Sequence, residues 1–460
     1  MRRQTMSLLC LATALSWCDM APHYVRPVPP APSQWPEGAA YAPEAAGAAG
    51  LPWRTLFADP KLRTVIAQAI ADNRDLRASL ASVASARAEY HVERSYQLPT
   101  VAASAGADIT RGVTRSTANA SSYDATIGMS SFEIDLFGRL RNQTKAAFET
   151  YLSTESGMRS TRLAIVAETA TAYATLASDR DLLRVAQDTV ASGQRSVELT
   201  QSLFQSGLAS AVDVQEAITV VEQARSDAAN DTTLVAQDRN ALELLVGAPV
   251  ADDLLPGSLA ELDGGVGNVP AGLSSTVLLQ RPDVVEAEHS LKSANAAIGV
   301  ARAAFFPTIT LTSAIGLAST ALSSLFTGGA LSWSAVPSAS LPLLGGPTKG
   351  NLDYAKAQRD YYLAGYEKAV QSAFRDVADG LARRGTIVQQ RQAQARLVAA
   401  AAKAYALADA QYRAGTGAYL DVLTAQRTLY AARQSEIATM LTDIANRVTL
   451  YSAIGADTSL

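Results

Sequence analysis

The sequence predicts a mainly α-helical chain with a membrane β part, built as two tandem copies of one unit. Three observations predict it. The first is a constant offset. Tyr412-Arg413-Ala414-Gly415-Thr416-Gly417-Ala418-Tyr419-Leu420-Asp421-Val422 has an earlier counterpart in Phe204-Gln205-Ser206-Gly207-Leu208-Ala209-Ser210-Ala211-Val212-Asp213-Val214, and Gly415 lies 208 residues after Gly207. Leu98-Pro99-Thr100-Val101 and Phe306-Pro307-Thr308-Ile309 keep that offset, as do Ala86 and Ala294, Ala88 and Ala296, and Gly247 and Gly455. A fixed offset over so long a stretch marks a duplicated structural unit with almost no insertions. The second is the absence of proline between Pro99 and Pro249 and after Pro347, in Ala-rich, Gly-poor sequence. The third is a change to period-two alternation between the helical stretches of each copy.

Composition narrows the function classes. The chain is 48% hydrophobic but only 6% aromatic, which suits long helices packed through small side chains. A net charge of −4 offers no basic field, so no nucleic-acid partner is expected. Three His and two Cys are scattered, so neither a metal site, a thiol catalyst nor a cofactor is expected. His23, His91 and His289 read as surface residues. Gly264-Gly265-Val266-Gly267 follows no strand and lacks a phosphate-loop Lys, so it reads as a linker.

At the N-terminus, Arg2 and Arg3 precede an apolar run from Met6 to Leu15, the pattern of a signal peptide over 1–17. Leu15-Ser16-Trp17-Cys18 resembles the lipobox of bacterial lipoproteins, which makes Cys18 the expected lipidation site. Trp17 departs from the Gly or Ala wanted before the Cys, and Asp19 resembles an inner-membrane retention signal of some bacteria. Cleavage after Ala21 is the other reading. No other run approaches the roughly 18 apolar residues of a transmembrane helix. Residues 18–52 are Pro-rich and read as an extended arm, with Tyr24, Trp35 and Trp53 pointing to packing against something.

The first repeat is expected over 53–250. It starts with one helix from Asp59-Pro60 to Tyr96, with Leu62, Val65, Ile66, Ala69 and Ile70 on its first apolar face. A longer helix runs from Asn142 to Phe204, where Leu163, Val166, Ala170, Tyr173 and Ala177 step by threes and fours as a heptad seam. Another follows from Val212 to Leu245. Residues 251–281 read as a linker. The second repeat, over 282–460, gives helices at Pro282–Phe305, Leu352–Tyr412 and Leu420–Ile454.

Hairpins are expected at 99–135 and 307–342. Val101, Ala103, Ala105, Ala107 and Ile109 alternate with Thr100, Ser104, Asp108 and Thr110; beyond a polar turn, Tyr123, Ala125, Ile127 and Met129 alternate with Asp124, Thr126 and Gly128. Ile309, Leu311, Ile315 and Leu317 oppose Thr308, Thr310 and Thr312, and Leu331, Trp333 and Ala335 follow Gly328-Gly329. The pattern fits strands with one apolar face, of a length that spans a bilayer when tilted. A soluble hairpin would alternate in the same way. Four strands cannot close a barrel, and open edges in lipid leave backbone groups unsatisfied. Membrane strands would therefore require several chains, three of them supplying about 12 strands.

Four ordered motifs carry a family resemblance. They are Ser131-Phe132-Glu133-Ile134-Asp135-Leu136-Phe137-Gly138-Arg139-Leu140-Arg141, its counterpart Leu341-Pro342-Leu343-Leu344-Gly345-Gly346, the stretch Tyr412–Arg427, and the start Cys18–Pro27 with Pro22, Tyr24, Arg26 and Pro27. Over nearly the whole chain the sequence resembles the outer membrane factor family of TolC-like exit ducts, closest to the lipoprotein branch serving resistance-nodulation-division efflux pumps. The resemblance implies a homotrimer with a 12-stranded barrel in outer-membrane lipid and a TolC-like trimeric α-barrel crossing the periplasm. It also implies an equatorial girdle near Leu182–Ser192, Leu254–Thr276 and Leu397–Ala404. A periplasmic adaptor protein and an inner-membrane efflux pump are the implied partners, and small molecules the implied cargo. A duct for secreted proteins, or a periplasmic scaffold without a pore, are the alternatives.

The resemblance places a constriction at the helix-turn tips. Leu420 matches the family's apolar gate residue. Thr424 stands one turn later, where many relatives carry Asp. Asp213 and Asp421 near the tips would favour cations as a pore ring, or else serve the dipoles of the helices they begin. Gly207, Leu208, Arg413, Gly415, Thr416 and Gly417 form the expected adaptor-contact tips. Trp333, Tyr123 and Phe326 are expected at the lipid interface, and Glu133 and Asp135 facing water at the barrel base. No chemical step is expected of any residue.

Overall fold

In the computed structural model the described residues are 19–41, 52–110, 120–268, 274–327, 329–343, 346–455 and 457. The expected signal peptide and Cys18 lie outside them, as do the turn at 111–119 and Gly328, Leu344 and Gly345. The elements run α1 (Trp53–Leu56), α2 (Pro60–Asp72), α3 (Arg74–Ser95), β1 (Val101–Thr110), β2 (Ala120–Glu133), α4 (Arg139–Gln205), α5 (Ala211–Val246), α6 (Leu259–Asp263), α7 (Pro282–Ala303), β3 (Thr308–Ser319), β4 (Leu331–Ser340), α8 (Thr348–Arg413) and α9 (Tyr419–Ile454). None of the described helices is long and apolar enough to cross a membrane. Two compact units arise: one from residues 1–28, 81–155 and 286–368, the other from 29–80, 156–285 and 369–460.

The first unit holds the sheet, with order β1-β2-β3-β4 and every pair antiparallel. Because β2 pairs with β3, the hairpins of the two repeats share one surface. Register sets the two faces apart. Ala103↔Ile127, Ala105↔Ala125, Ala107↔Tyr123, Ile127↔Ile315, Ala125↔Leu317 and Ile315↔Trp333 stack on one side. Ser104↔Thr126, Gly106↔Asp124, Asp108↔Ser122, Thr310↔Ser338 and Ala314↔Ser334 occupy the other. A bulge between Met129 and Phe132 is built on Ser131 at φ +50°, whose N–H donates to Thr312 Oγ1 at 3.0 Å. The outer strands β1 and β4 are exposed along their whole length.

The strand-to-helix junction corrects one expectation. Glu133 and Asp135 do not stand free in water. Arg139 makes two bonds to the Glu133 carboxylate, at 2.8 and 2.5 Å, and the Arg141 N–H donates to Asp135 at 2.9 Å. Phe137 stacks on Phe306 with centroids 4.7 Å apart. His289 is likewise no surface residue: its Nδ1 lies 2.7 Å from Glu149 Oε2, and both side chains are largely buried between α7 and α4. The arm is fastened to α7, with Asn295 donating to the Pro22 carbonyl at 2.7 Å, Tyr24 donating to Glu288 at 3.3 Å, and Arg26 paired with the same carboxylate. Burial alone would raise the Glu288 carboxyl, but hydrogen bonds and charge from Arg26 and Lys292 hold it below its usual range.

In the second unit the heptad seam is core: Leu163, Val166, Ala170, Tyr173 and Ala177 are all buried. The single helix expected over 60–96 is two. Asn73 breaks it, accepting the Leu76 N–H at 2.9 Å and donating to the Leu245 carbonyl at 2.8 Å. The end of α5 presses there: a Cβ on Gly247 would sit 2.5 Å from the Asp72 carbonyl oxygen, so the chain turns with Gly at φ +78°. Packing between elements overrides a helical pattern that local sequence alone would continue. Leu182–Ser192 and Leu397–Ala404 are uninterrupted helix within α4 and α8. The Gly264–Gly267 run is more than a linker, since Gly265 accepts the Ala58 N–H at 2.6 Å and Gly267 donates to Leu56 at 2.7 Å. Beside it, Arg391 and Arg447 clamp Asp263 at 2.8 and 2.9 Å and share Asp443. Burial would raise Asp263, yet those guanidinium groups hold it below the usual carboxylate range. The arm also stacks Trp35 on Phe374 with centroids 5.0 Å apart.

Candidate pore constriction at the helix tips

Both long hairpins of the second unit reverse in the same way. After α4, Gly207 takes φ +75°, its N–H donating to Phe204 O at 2.9 Å and the Leu208 N–H to Leu203 O at 2.8 Å. After α8, Gly415 takes φ +73°, its N–H donating to Tyr412 O at 3.0 Å and the Thr416 N–H to Gln411 O at 3.0 Å. Each is a left-handed cap closing orphan carbonyls at a helix end. The Thr416 hydroxyl adds a bond to Gln411 O at 3.1 Å, and Gly417 packs closely on Gln411. Arg413 is engaged within its own helix, pairing with Asp409 at 2.8 Å. Leu208 stands 76% exposed at the apex.

The following helices start differently. Ser210 accepts the Asp213 N–H at 3.1 Å while Asp213 Oδ2 accepts the Ser210 N–H at 2.8 Å, a complete capping box. Between the two sequence readings of Asp213, its carboxylate is therefore held at the cap of α5. The equivalent N-cap of α9 is Ala418, which offers no side-chain bond, and Asp421 is left exposed. Leu420 is 59% exposed and is absent from the core clusters of the described residues. Thr424 shares its face, with its hydroxyl turned back to Leu420 O at 2.8 Å.

Behind this exposed face the four helices meet. Tyr419, Val422 and Leu423 of α9 cluster with Tyr412 of α8 and Ala217 and Val220 of α5, and Tyr412 and Tyr419 lie 5.2 Å apart by centroid. Burial drives the Tyr419 phenol above its ordinary value. Polar ties flank the cluster: Arg427 donates to Thr219 Oγ1 at 3.0 Å, Tyr430 to Asp227 Oδ2 at 2.7 Å, and Tyr412 to Thr200 at 3.4 Å. The sequence motifs include Tyr412, Tyr419 and Arg427 but not their partners Thr200, Thr219 and Asp227. One signal was available, since Arg427 and Thr219 occupy equivalent positions, 208 apart, in the two repeats.

Farther along α4 and α5, Asp179 and Asp238 share a hydrogen bond, and burial followed by the Asp238 charge pushes the Asp179 carboxyl up to about 6. No group here is arranged as nucleophile and base. The geometry consists of two helical hairpins, two glycine reversals and a seam between them.

Comparison with known proteins identifies the family. The outer membrane efflux protein family model matches residues 65–248 and again 273–456, two spans related by the repeat offset. The chain is similar to the probable efflux pump outer membrane protein TtgC of Pseudomonas putida, 42% identical over 465 residues covering 99% of this chain and 96% of the relative. It is also similar to the cation efflux system protein CusC of Escherichia coli, 36% identical with 97% and 98% covered. Among solved structures, a membrane protein from Pseudomonas aeruginosa superposes with a TM-score of 0.88 at 34% identity, covering 96% of this chain and 98% of that one. The open state of the Neisseria gonorrhoeae MtrE outer membrane channel gives 0.86 at 33% identity, with 95% and 98% covered. This chain belongs to the outer membrane efflux protein family and is an outer-membrane channel of efflux machinery.

Proposed function

We propose that the chain acts as a homotrimeric exit duct, passively conducting small molecules delivered by an inner-membrane pump through a periplasmic adaptor. One observation carries the trimer. The sheet has an apolar face and two exposed edge strands, β1 and β4, which lipid cannot satisfy; edge-to-edge pairing of copies into a closed ring removes every open edge, and three copies supply about 12 strands, an even number in the range of outer-membrane barrels. Cys18, as an acylated first residue, would add a lipid anchor beside the barrel. The domain reading follows the repeats: arm 18–52, repeats 53–250 and 282–460, and 251–281 between them.

The second-repeat tip supplies the constriction. Leu420 faces away from its own core, so copies brought together around an axis place an apolar ring there, with Asp421 and Thr424 beside it. Gly207, Leu208, Gly415, Thr416 and Gly417, with Arg413 beside them, present small and exposed groups on which the adaptor docks. Docking favours the splayed tip by binding it better, a population shift. The related proteins named for toluene and solvent efflux point to small apolar toxic compounds as cargo. No chemical step is required of the duct.

Leu420→Ala in planar bilayers tests the gate. Shortening the ring raises single-channel conductance of the closed duct several-fold, with the trimer unchanged by size-exclusion chromatography in detergent. An unaltered conductance rejects Leu420 as the constriction, and a monomeric protein rejects the duct.

A further inference from the structure

The seam behind the second tip buries polar atoms that have no partner. On α9, Tyr419, Val422, Leu423, Gln426 and Leu429 recur at steps of three and four residues and are buried, whereas Leu420, Asp421, Thr424 and Arg427 are exposed. Gln426 is 4% exposed, yet neither its Oε1 nor its Nε2 has a hydrogen-bond partner among the described residues. Tyr419, one heptad earlier, is 3% exposed with its hydroxyl equally unpartnered. The facing wall gives no help. A Cβ on Gly193 of α4 would lie 2.8 Å from Val221 Cγ2 and 3.8 Å from Gln426 Nε2, so a bare glycine and Val221 stand beside the amide. The equivalent positions of the first repeat are Ala211 and Ile218, which bring no polar atom to the seam.

An amide that leaves water and finds no partner loses its hydration without compensation. Two forces therefore oppose each other at this level. Val422, Leu423 and the ties Arg427–Thr219 and Tyr430–Asp227 draw α9 against α5, while Gln426 and Tyr419 resist that packing. We infer that Gln426, assisted by Tyr419, is a gating residue of the duct, whose stranded amide keeps the seam between the two tips near balance. Parting α8 and α9 from α4 and α5 hydrates the amide, so a docking partner has less to supply in opening the tip. The inference rests on the reading that this end of the duct is its constriction.

Reconstituted full-length protein in planar bilayers tests it with Gln426→Leu, Gln426→Met and Tyr419→Phe. The two Gln426 variants keep the side-chain volume and remove the polar atoms. Each lowers the open fraction about tenfold, which corresponds to about 1.4 kcal/mol, and raises the thermal midpoint. Tyr419→Phe lowers the open fraction about threefold, the midpoint again not falling. An open fraction that is unchanged or increased in the Gln426 variants overturns the inference. So does a fall in the midpoint or a failure to assemble, because either shows the amide supporting the seam instead of loading it. If those variants behave like the natural chain while Leu420→Ala still raises conductance, the gating role of Gln426 falls and the constriction stands. If Leu420→Ala has no effect, the constriction itself falls.

Discussion

The two tips share a backbone and differ in how the next helix begins. Gly207 and Gly415 reverse the chain with φ of +75° and +73°, and both following helices carry Asp at their third position. At the first tip Ser210 and Asp213 lock each other in a capping box; at the second Ala418 leaves Asp421 with nothing to hold. The two copies thus share their turn and differ in one fastening. The missing cap falls on the repeat that also exposes Leu420 and buries an unpartnered Gln426. On the proposed gating scheme, the first hairpin is the fixed wall and the second the part that moves. Local stability is uneven by construction, and moving elements are drawn from its low end.

The largest test of that contrast lies at its common element. A Cβ on either tip glycine would meet no atom within 4 Å, so Gly207→Ala and Gly415→Ala cost only the left-handed conformation. That is about 1–2 kcal/mol in each case, or roughly 5- to 30-fold faster hydrogen exchange of the turn amides. Unequal losses would break the claim that the backbones are equivalent. The next effect is smaller and has opposite signs at the two tips. Ser210→Ala removes the cap and costs about 1 kcal/mol. Ala418→Ser, at a residue already in the extended conformation of an N-cap with φ −83° and ψ 148°, places a hydroxyl within reach of the Asp421 N–H and slows exchange there about fivefold. If Ala418→Ser leaves both exchange and channel opening as they were, the missing cap is no part of the mobility.

Much of this is legible in the sequence itself. The offset of Gly415 from Gly207 and of Pro307 from Pro99 carries the duplication, and the step from Leu163 to Val166 to Ala170 marks the buried seam, because burial leaves a period in the sequence. Alternation located the strands for the same reason. What stayed hidden depends on groups distant in the chain. Asn73 ends a helix because α5 arrives there. Glu133 and Asp135 are paired because the bulge at Ser131 and the start of α4 bring Arg139 and Arg141 to them. His289 reads as isolated until α4 supplies Glu149. At the site, Leu420 was found through a family likeness, whereas Gln426 sits on a helical period that is otherwise apolar. A polar residue there reads as a break in the stripe, and only the packing shows that it is buried.

The weakest effect carries the contrast up the shaft and works through pH. Asp179 on α4 and Asp238 on α5 are matched in the second repeat by Ile387, which is buried, and Asn446, whose amide donates to Gly380 O at 3.2 Å. Among the described residues this carboxyl pair is therefore a feature of the first repeat. Burial raises both acids, and the Asp238 charge lifts Asp179 further, to about 6; Asp231, flanked by Asp179 and Asp227, is raised as well. An unfolded Asp titrates at about 3.9. Between these values the folded chain keeps a proton that the unfolded chain has released, so stability falls as pH rises from about 4 through about 6. This is opposite to Asp263, whose depressed carboxyl gives stability that is lost on acidification. Partial exposure of the pair screens the effect and keeps it small. Asp179→Asn removes the titrating charge, so the thermal midpoint rises near neutral pH and its decline between about pH 5 and 7 flattens. A natural chain whose midpoint climbs across that window, or an Asn variant that keeps the original slope, would show that the first-repeat seam carries no shared proton, and the two hairpins would then answer to pH alike.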